Sequence, residues 1–271
     1  MIDDKIFNQL DDGMKISVYC KNLTNGNIQV SHNENLVHQS ASVIKVLIMA
    51  EALIQVEEGI YSLYQMIKVK DSDIVPYSVI GDLDIREYTY KDLVSLMIEY
   101  SDNTATNVLI DLLGMEKINL LARRLSMSNT ILQRKMMDFR SIGFGKDNFT
   151  TIMDITTLFE AFENRVIVCD KLSELAIDIL KRQKHKDAFL RFLNEDVVVA
   201  HKTGQLEGLN HDIGIFYLDN VSYILGIFIS NGENNSEIKD FIGRTSEMFY
   251  RHFKLTSKEG SENCESKGSC C

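Results

Sequence analysis

The order in which strand-like and helical runs follow one another constrains this chain more than any other feature. Lys15–Cys20 and Asn27–Ser31 alternate like strands, and Asn25-Gly26 between them is a hairpin turn signal. Three more strand-like runs, Val197–Thr203, His211–Leu218 and Val221–Ser230, come only near the other end. Most of the interval reads as helix: Ser42 to about Glu57, Tyr90–Tyr100, Asn103–Leu113, Glu116–Leu125, Thr151–Glu163, Leu172–Lys181 and Asp187–Leu193. Segment Arg134–Asn148, with Gly143 and Gly145, has no clear period and reads as a loop. A short helix over 2–11 and a last one over Ser236–Phe253 flank the strands. An isolated two-stranded hairpin is marginal in water, so strands from the two ends must meet. The sequence therefore predicts an α/β (α+β) fold: a five-stranded antiparallel sheet flanked by terminal helices, with an inserted all-helical lobe. Residues 1–254 are expected to form one domain. Its sheet lobe is 1–41 plus 187–254, and its helical lobe is 42–186. A polar, cysteine-containing tail at 255–271 is expected to be disordered.

Composition narrows the function classes. The 271 residues carry 29 basic and 39 acidic side chains, a net charge of −10, which argues against a general nucleic-acid or anionic-membrane binder. The opening residues lack a basic segment followed by an apolar one, and no apolar run is long enough to span a bilayer. As it stands the sequence implies a cytoplasmic protein, or an exported one if a leader has been removed. The five cysteines, Cys20, Cys169, Cys264, Cys270 and Cys271, are an odd number crowded towards one end, so reduced thiols are the default. The histidines show no metal-ligand spacing, and there is no phosphate-binding glycine loop; neither metal nor cofactor is expected.

Three short motifs carry chemistry. Ser42-Val43-Ile44-Lys45 at the start of a helix would put both polar side chains on one face, one turn apart. A serine hydroxyl needs a base, and a lysine amine becomes one when burial or a neighbouring cation lowers its pKa. Alone the pattern is weak, since Ser236-Glu237-Ile238-Lys239 repeats it without supporting residues. Ser101-Asp102-Asn103 lies between two predicted helices. It reads either as an N-cap or as a proton relay (Ser101) beside a substrate amide ligand (Asn103), with Asp102 bracing the loop. Lys202-Thr203-Gly204 ends a predicted strand and suits an edge that pairs with a peptide-like substrate. Lys202 and Thr203 would take its carboxylate and Gly204 would permit close approach.

In this order, and supported by Gln39-Ser40-Ala41-Ser42-Val43-Ile44-Lys45, Ser101-Asp102-Asn103-Thr104-Ala105-Thr106-Asn107 and His201-Lys202-Thr203-Gly204, the motifs are those of one family. From about Ile2 to Phe253 the chain resembles class A β-lactamases and related serine hydrolases of the penicillin-recognising fold. The resemblance implies Ser42 as acylated nucleophile, Lys45 as its proton acceptor and Ser101 as donor to the leaving nitrogen. It implies Asn103, Lys202, Thr203, Gly204 and Gln205 as substrate-binding residues, with the Ser42 and Gln205 N–H groups forming the oxyanion hole. The implied partner is a small acyl substrate, a β-lactam or a peptide-like amide or ester, acted on by a monomer.

One departure bears on mechanism. Class A enzymes place a glutamate, which activates the deacylating water, in a Glu-x-x-Leu-Asn element. The corresponding stretch here is Leu132-Gln133-Arg134-Lys135-Met136-Met137-Asp138, with Met136 at the glutamate position. Asp138 is the nearest acid and would need a shifted loop; Arg134 reads as structural. His211-Asp212 suggests either a His–Asp couple or a histidine bound to backbone. Three readings follow: a serine acyl-hydrolase, a sensor-type protein that acylates without efficient deacylation, and a non-catalytic interaction protein.

Overall fold

The structure is a computed structural model and describes residues 13–265; the helix expected over 2–11 lies outside them. In chain order the elements are β1 (Lys15–Asn22), β2 (Ile28–His32), β3 (His38–Gln39), a 3-10 turn (Ala41–Ile44), α1 (Lys45–Glu57), β4 (Met66–Lys68), β5 (Glu87–Thr89), α2 (Tyr90–Glu99), α3 (Asn103–Leu113) and α4 (Met115–Arg124). They continue with α5 (Phe139–Gly143), β6 (Phe149–Thr150), α6 (Ile152–Glu163), α7 (Asp170–Lys181), β7 (Val198–Leu206), β8 (Leu209–Tyr217), β9 (Ser222–Ser230) and α8 (Asn235–Glu265).

The strands from the two ends do meet. The main sheet has the order β2-β1-β9-β8-β7 and is antiparallel throughout; β1 pairs along its whole length with β9, from Lys15↔Ser230 to Asn22↔Tyr223. Alternation along the strands splits the apolar side chains between two cores. Ile213, Ile215, Ile224 and Phe228 face the helical lobe. Val18, Phe216, Tyr223, Leu225 and Ile227 face α8, which answers with Ile238, Ile242, Phe249 and Phe253. Helix α1 is buried all round over its first turns, with Val46 to Ala50 all at 0% exposure, and Lys45, Glu51 and Gln55 are buried with them. It is the axis of the helical lobe.

Four local features differ from the sequence expectation. Two small two-stranded sheets also form, β3–β6 joining the two lobes and β4–β5 within the helical one, with strands too short to leave an alternating signature. The loop after α4 contains the five-residue helix α5, capped by Asp138. Residues 187–193 form turns and not a helix: the Phe189 N–H is taken by Asp212 Oδ2 (3.1 Å), and successive turn bonds run from Arg191 to Ala188 and from Leu193 to Leu190. Bonds of i to i+3 spacing thus stand where the apolar pattern suggests an α-helical ladder. The last helix, expected to end at Phe253, continues to Glu265. Among the described residues no helix is long and apolar enough to cross a membrane.

Candidate active site

A cleft of about 930 Å³ opens where the edge strand β7 faces the helical lobe, and Ser42, Ser101, Asn103, Thr203, Gly204 and Gln205 all line it. Lys45 and Lys202 lie beneath, both at 0% exposure. The eight residues singled out in the sequence therefore converge on one place.

Ser42 does not open an α-helix. It lies within the 3-10 turn, and the Lys45 N–H donates to its carbonyl before α1 begins. In this tighter helix positions i and i+3 eclipse, which brings the backbone positions of Ser42 and Lys45 into line. The turn is entered through Ala41 at φ +43°, a left-handed conformation that a non-glycine residue adopts only when its surroundings impose it. Those surroundings are the Ser40 N–H bond to the Asn148 carbonyl (2.8 Å) and the backbone of Gly204. A Cβ on Gly204 would stand 3.1 Å from Ala41 Cβ, 3.3 Å from Ser40 O and 3.3 Å from Ser42 N. Gly204 thus serves close approach, as expected, but what it admits is the protein's own serine-bearing turn.

Lys45 Nζ donates to the Ser101 carbonyl (2.7 Å), Ser101 Oγ (3.1 Å) and Asn103 Oδ1 (2.9 Å). From the other side Lys202 Nζ donates to the same Ser101 Oγ (3.1 Å) and to the Thr203 carbonyl (2.9 Å). Burial, reinforced by the Lys202 charge, holds the Lys45 amine well below the usual lysine range, against the pull of Asp102. Burial also brings Lys202 down to about 7, against the pull of Asp212. A neutral amine has two N–H bonds, which the Ser101 carbonyl and Asn103 Oδ1 can take, and it keeps a lone pair towards Ser101 Oγ, which is what proton acceptance requires.

The Ser101 loop is braced from below. Asp102 caps α3 by accepting from the Ala105 N–H (2.8 Å), and its carboxylate also takes the Ile80 N–H (3.1 Å) and Ser78 Oγ (3.0 Å). Cap and brace are one residue. Ser101 itself sits at φ +55°. Asn103 Nδ2 donates to the Pro76 carbonyl (3.1 Å) while its Oδ1 holds Lys45, so its first duty is to the lysine. Pro76, Ser78 and Ile80 carry no sequence motif that would have revealed them.

On the opposite wall, Met136 lines the cleft with its backbone fixed by Asn107: Met136 N–H donates to Oδ1 (2.8 Å) and Nδ2 donates to Met136 O (3.1 Å). Its thioether supplies no carboxylate at this position; the acids that line the cleft are Asp82, Asp187 and Glu207. Asp138 is turned into the α5 cap, where it accepts from the Ser141 N–H (3.1 Å) and hydroxyl (2.6 Å); these bonds hold its carboxyl below the usual range. Arg134 has the structural role read from the sequence: its Nε donates to Asp147 Oδ1 (2.7 Å) in a buried ion pair, and Asp147 Oδ2 accepts from Gln39 Nε2 (2.7 Å). The partner of Asp212 is His201 (Nδ1 to Oδ1, 2.8 Å) and not the adjacent His211, whose Nε2 bonds the Gln39 carbonyl (2.9 Å). Neighbours in a strand point to opposite faces, which separates His211 from Asp212. Among the described residues no group of three or more His, Cys, Asp or Glu is placed to hold a metal.

Residues 3–253 match the model of the beta-lactamase enzyme family. The chain is 27% identical over 221 residues to Beta-lactamase CTX-M-97 of Escherichia coli, covering 79% of this chain and 76% of the relative. Among solved structures it is similar to a β-lactamase from Sphaerobacter thermophilus (TM-score 0.82, 25% identity, 90% of this chain and 93% of the other). It is also similar to PBP-A (TM-score 0.84, 24% identity, 93% and 94%).

Proposed function

The chain belongs to the beta-lactamase enzyme family, and from that membership and the cleft's geometry we propose that it is a serine hydrolase that opens β-lactam rings through an acyl-enzyme on Ser42. The observation that carries this reading is the convergence of two buried lysines on Ser101 Oγ within the cleft that Ser42 lines.

The chemistry follows from the arrangement. The Ser42 hydroxyl oxygen attacks the lactam carbonyl carbon while its proton passes to the neutral Lys45 amine one helical turn away. The carbonyl oxygen gains negative charge, which the Ser42 and Gln205 N–H groups receive. As the tetrahedral carbon collapses, the C–N bond breaks and the nitrogen takes a proton from Ser101, which Lys45 replaces. Lys202, in its cationic form, and Thr203 hold the substrate carboxylate and so orient the ring. Water then attacks the ester at Ser42 and releases the acid.

Met136 favours a second reading of the last step, because nothing at that position can take a proton from the water. In this reading acylation is complete and deacylation slow. Time-resolved intact mass with benzylpenicillin tests both. The expected result is a penicilloyl adduct on the wild type and none on Ser42→Ala; absence of both adduct and turnover in the wild type would sink the proposal. Decay of the adduct within seconds would exclude the stalled reading.

A further inference from the structure

His211 belongs to none of the three motifs, yet it lines the cleft and is 1% exposed. It is the cross-strand partner of Gly204, so it stands beside the one residue whose missing side chain lets β7 approach the serine turn. Its Nε2 lies 2.9 Å from the carbonyl of Gln39, three residues before Ser42. A carbonyl only accepts, so Nε2 carries a proton and donates it to Gln39. Nδ1 is buried and has no side-chain partner. Burial independently pushes the imidazole down to about 4. The ring cannot swing: Phe228 stacks on it at 4.3 Å, and the edge of His38 meets it at 5.3 Å. His38 is itself fixed by Ser17 Oγ (3.0 Å) and Ser230 Oγ (2.9 Å).

Two constraints therefore set how far the turn lies from the edge strand. Contact of the Gly204 backbone with Ser40 and Ser42 is a stop against approach. The His211 bond to Gln39 is a tether against separation. Resting on the reading of Ser42 as nucleophile, we propose that His211 is a positioning residue that clamps the serine-bearing turn to β7, and so fixes the spacing of the two N–H groups that receive the oxyanion. The clamp acts on the tetrahedral state and not on ground-state binding, because the oxyanion develops only as the serine adds.

The test separates those two states. Acylation by benzylpenicillin, followed by intact mass over a concentration series, yields a dissociation constant for the encounter and a rate constant for acylation. A boronic acid that adds reversibly to the serine reports affinity for the tetrahedral form. His211→Phe keeps the ring stack and removes the donor. Displacement of a reacting group by a fraction of an ångström is costly, so the acylation constant and the boronate affinity should each fall about tenfold or more. The encounter constant should stay within about threefold, since uniform binding is untouched. Gly204→Ala disturbs the same spacing from the other side and should show the same split; it carries the test if His211→Phe does not fold. An acylation constant for His211→Phe within about twofold of wild type, or a loss confined to the encounter constant, would overturn the clamp. A wild type that neither acylates nor binds the boronate would overturn the serine reading itself, and the clamp with it.

Discussion

Two buried lysine amines each lie 3.1 Å from Ser101 Oγ, and two cations so close together are unfavourable, so the pair works with one neutral member. Burial and the Lys202 charge hold Lys45 well below the usual lysine range, while Lys202, at about 7, keeps its charge below neutrality. The sign for pH follows. With its pKa near 7 in the free protein, Lys202 loses its charge as pH rises through that value. We expect kcat/KM for carboxylate-bearing β-lactams to fall on that alkaline limb, and the limb to be absent for an analogue with the carboxylate esterified. In kcat the limb should move to higher pH, because a bound carboxylate favours the ammonium. Met136 governs the next step. Met136→Glu places a carboxylate on a backbone already pinned by Asn107, and general-base assistance contributes about 10²–10⁴-fold. Adduct lifetime in the mass experiment should shorten by at least the lower factor.

The element that carries Met136 is held at its base by one buried ion pair. Arg134 and Asp147 are both largely buried, and Asp147 also anchors Gln39 on β3. Removing one partner of such a pair leaves the other charged and unpaired. Arg134→Ala should therefore cost about 3–5 kcal/mol in urea unfolding. Because Gln39 leads into the serine turn, the same variant should also slow acylation. This element shows where the sequence was readable and where it was not. Long periodic runs such as α3 and the strands of the main sheet announced themselves, because burial of one face repeats along them. Helix α5 and strands β3 and β6 did not, since two to five residues hold no period. The motif residues were legible because their chemistry is rare in combination. Gln39 and Ser78 act through side-chain bonds to Asp147 and Asp102, and Asn107 through both backbone groups of Met136; these partners are distant in sequence, and only folding brings them together. Asp187–Leu193 misled for a third reason: its apolar side chains suit a helix, but the segment closes as successive i to i+3 turns.

Over the whole molecule, stability should depend on pH through the buried histidines. Burial, aided by His211 and Lys15, lowers His38 to about 3, and His211 lies at about 4, whereas both would titrate near 6.5 in an unfolded chain. Below 6.5 the unfolded state therefore binds more protons, and stability must fall as pH drops from 6.5 towards 3. The urea midpoint should be lower at pH 4.5 than at pH 7, with a smaller drop in His38→Gln; an equal drop would exonerate this histidine. The pairing of β1 with β9 has a consequence in time as well. A ribosome releases Ser42 early, but β7 to β9 emerge only after the entire helical lobe. Contacts so distant in sequence form late and slowly. The reactive serine thus spends its synthesis apart from Lys202 and the edge strand, and a nascent or prematurely terminated chain should be inert towards its own substrate. Activity becomes a certificate that translation reached the final strands.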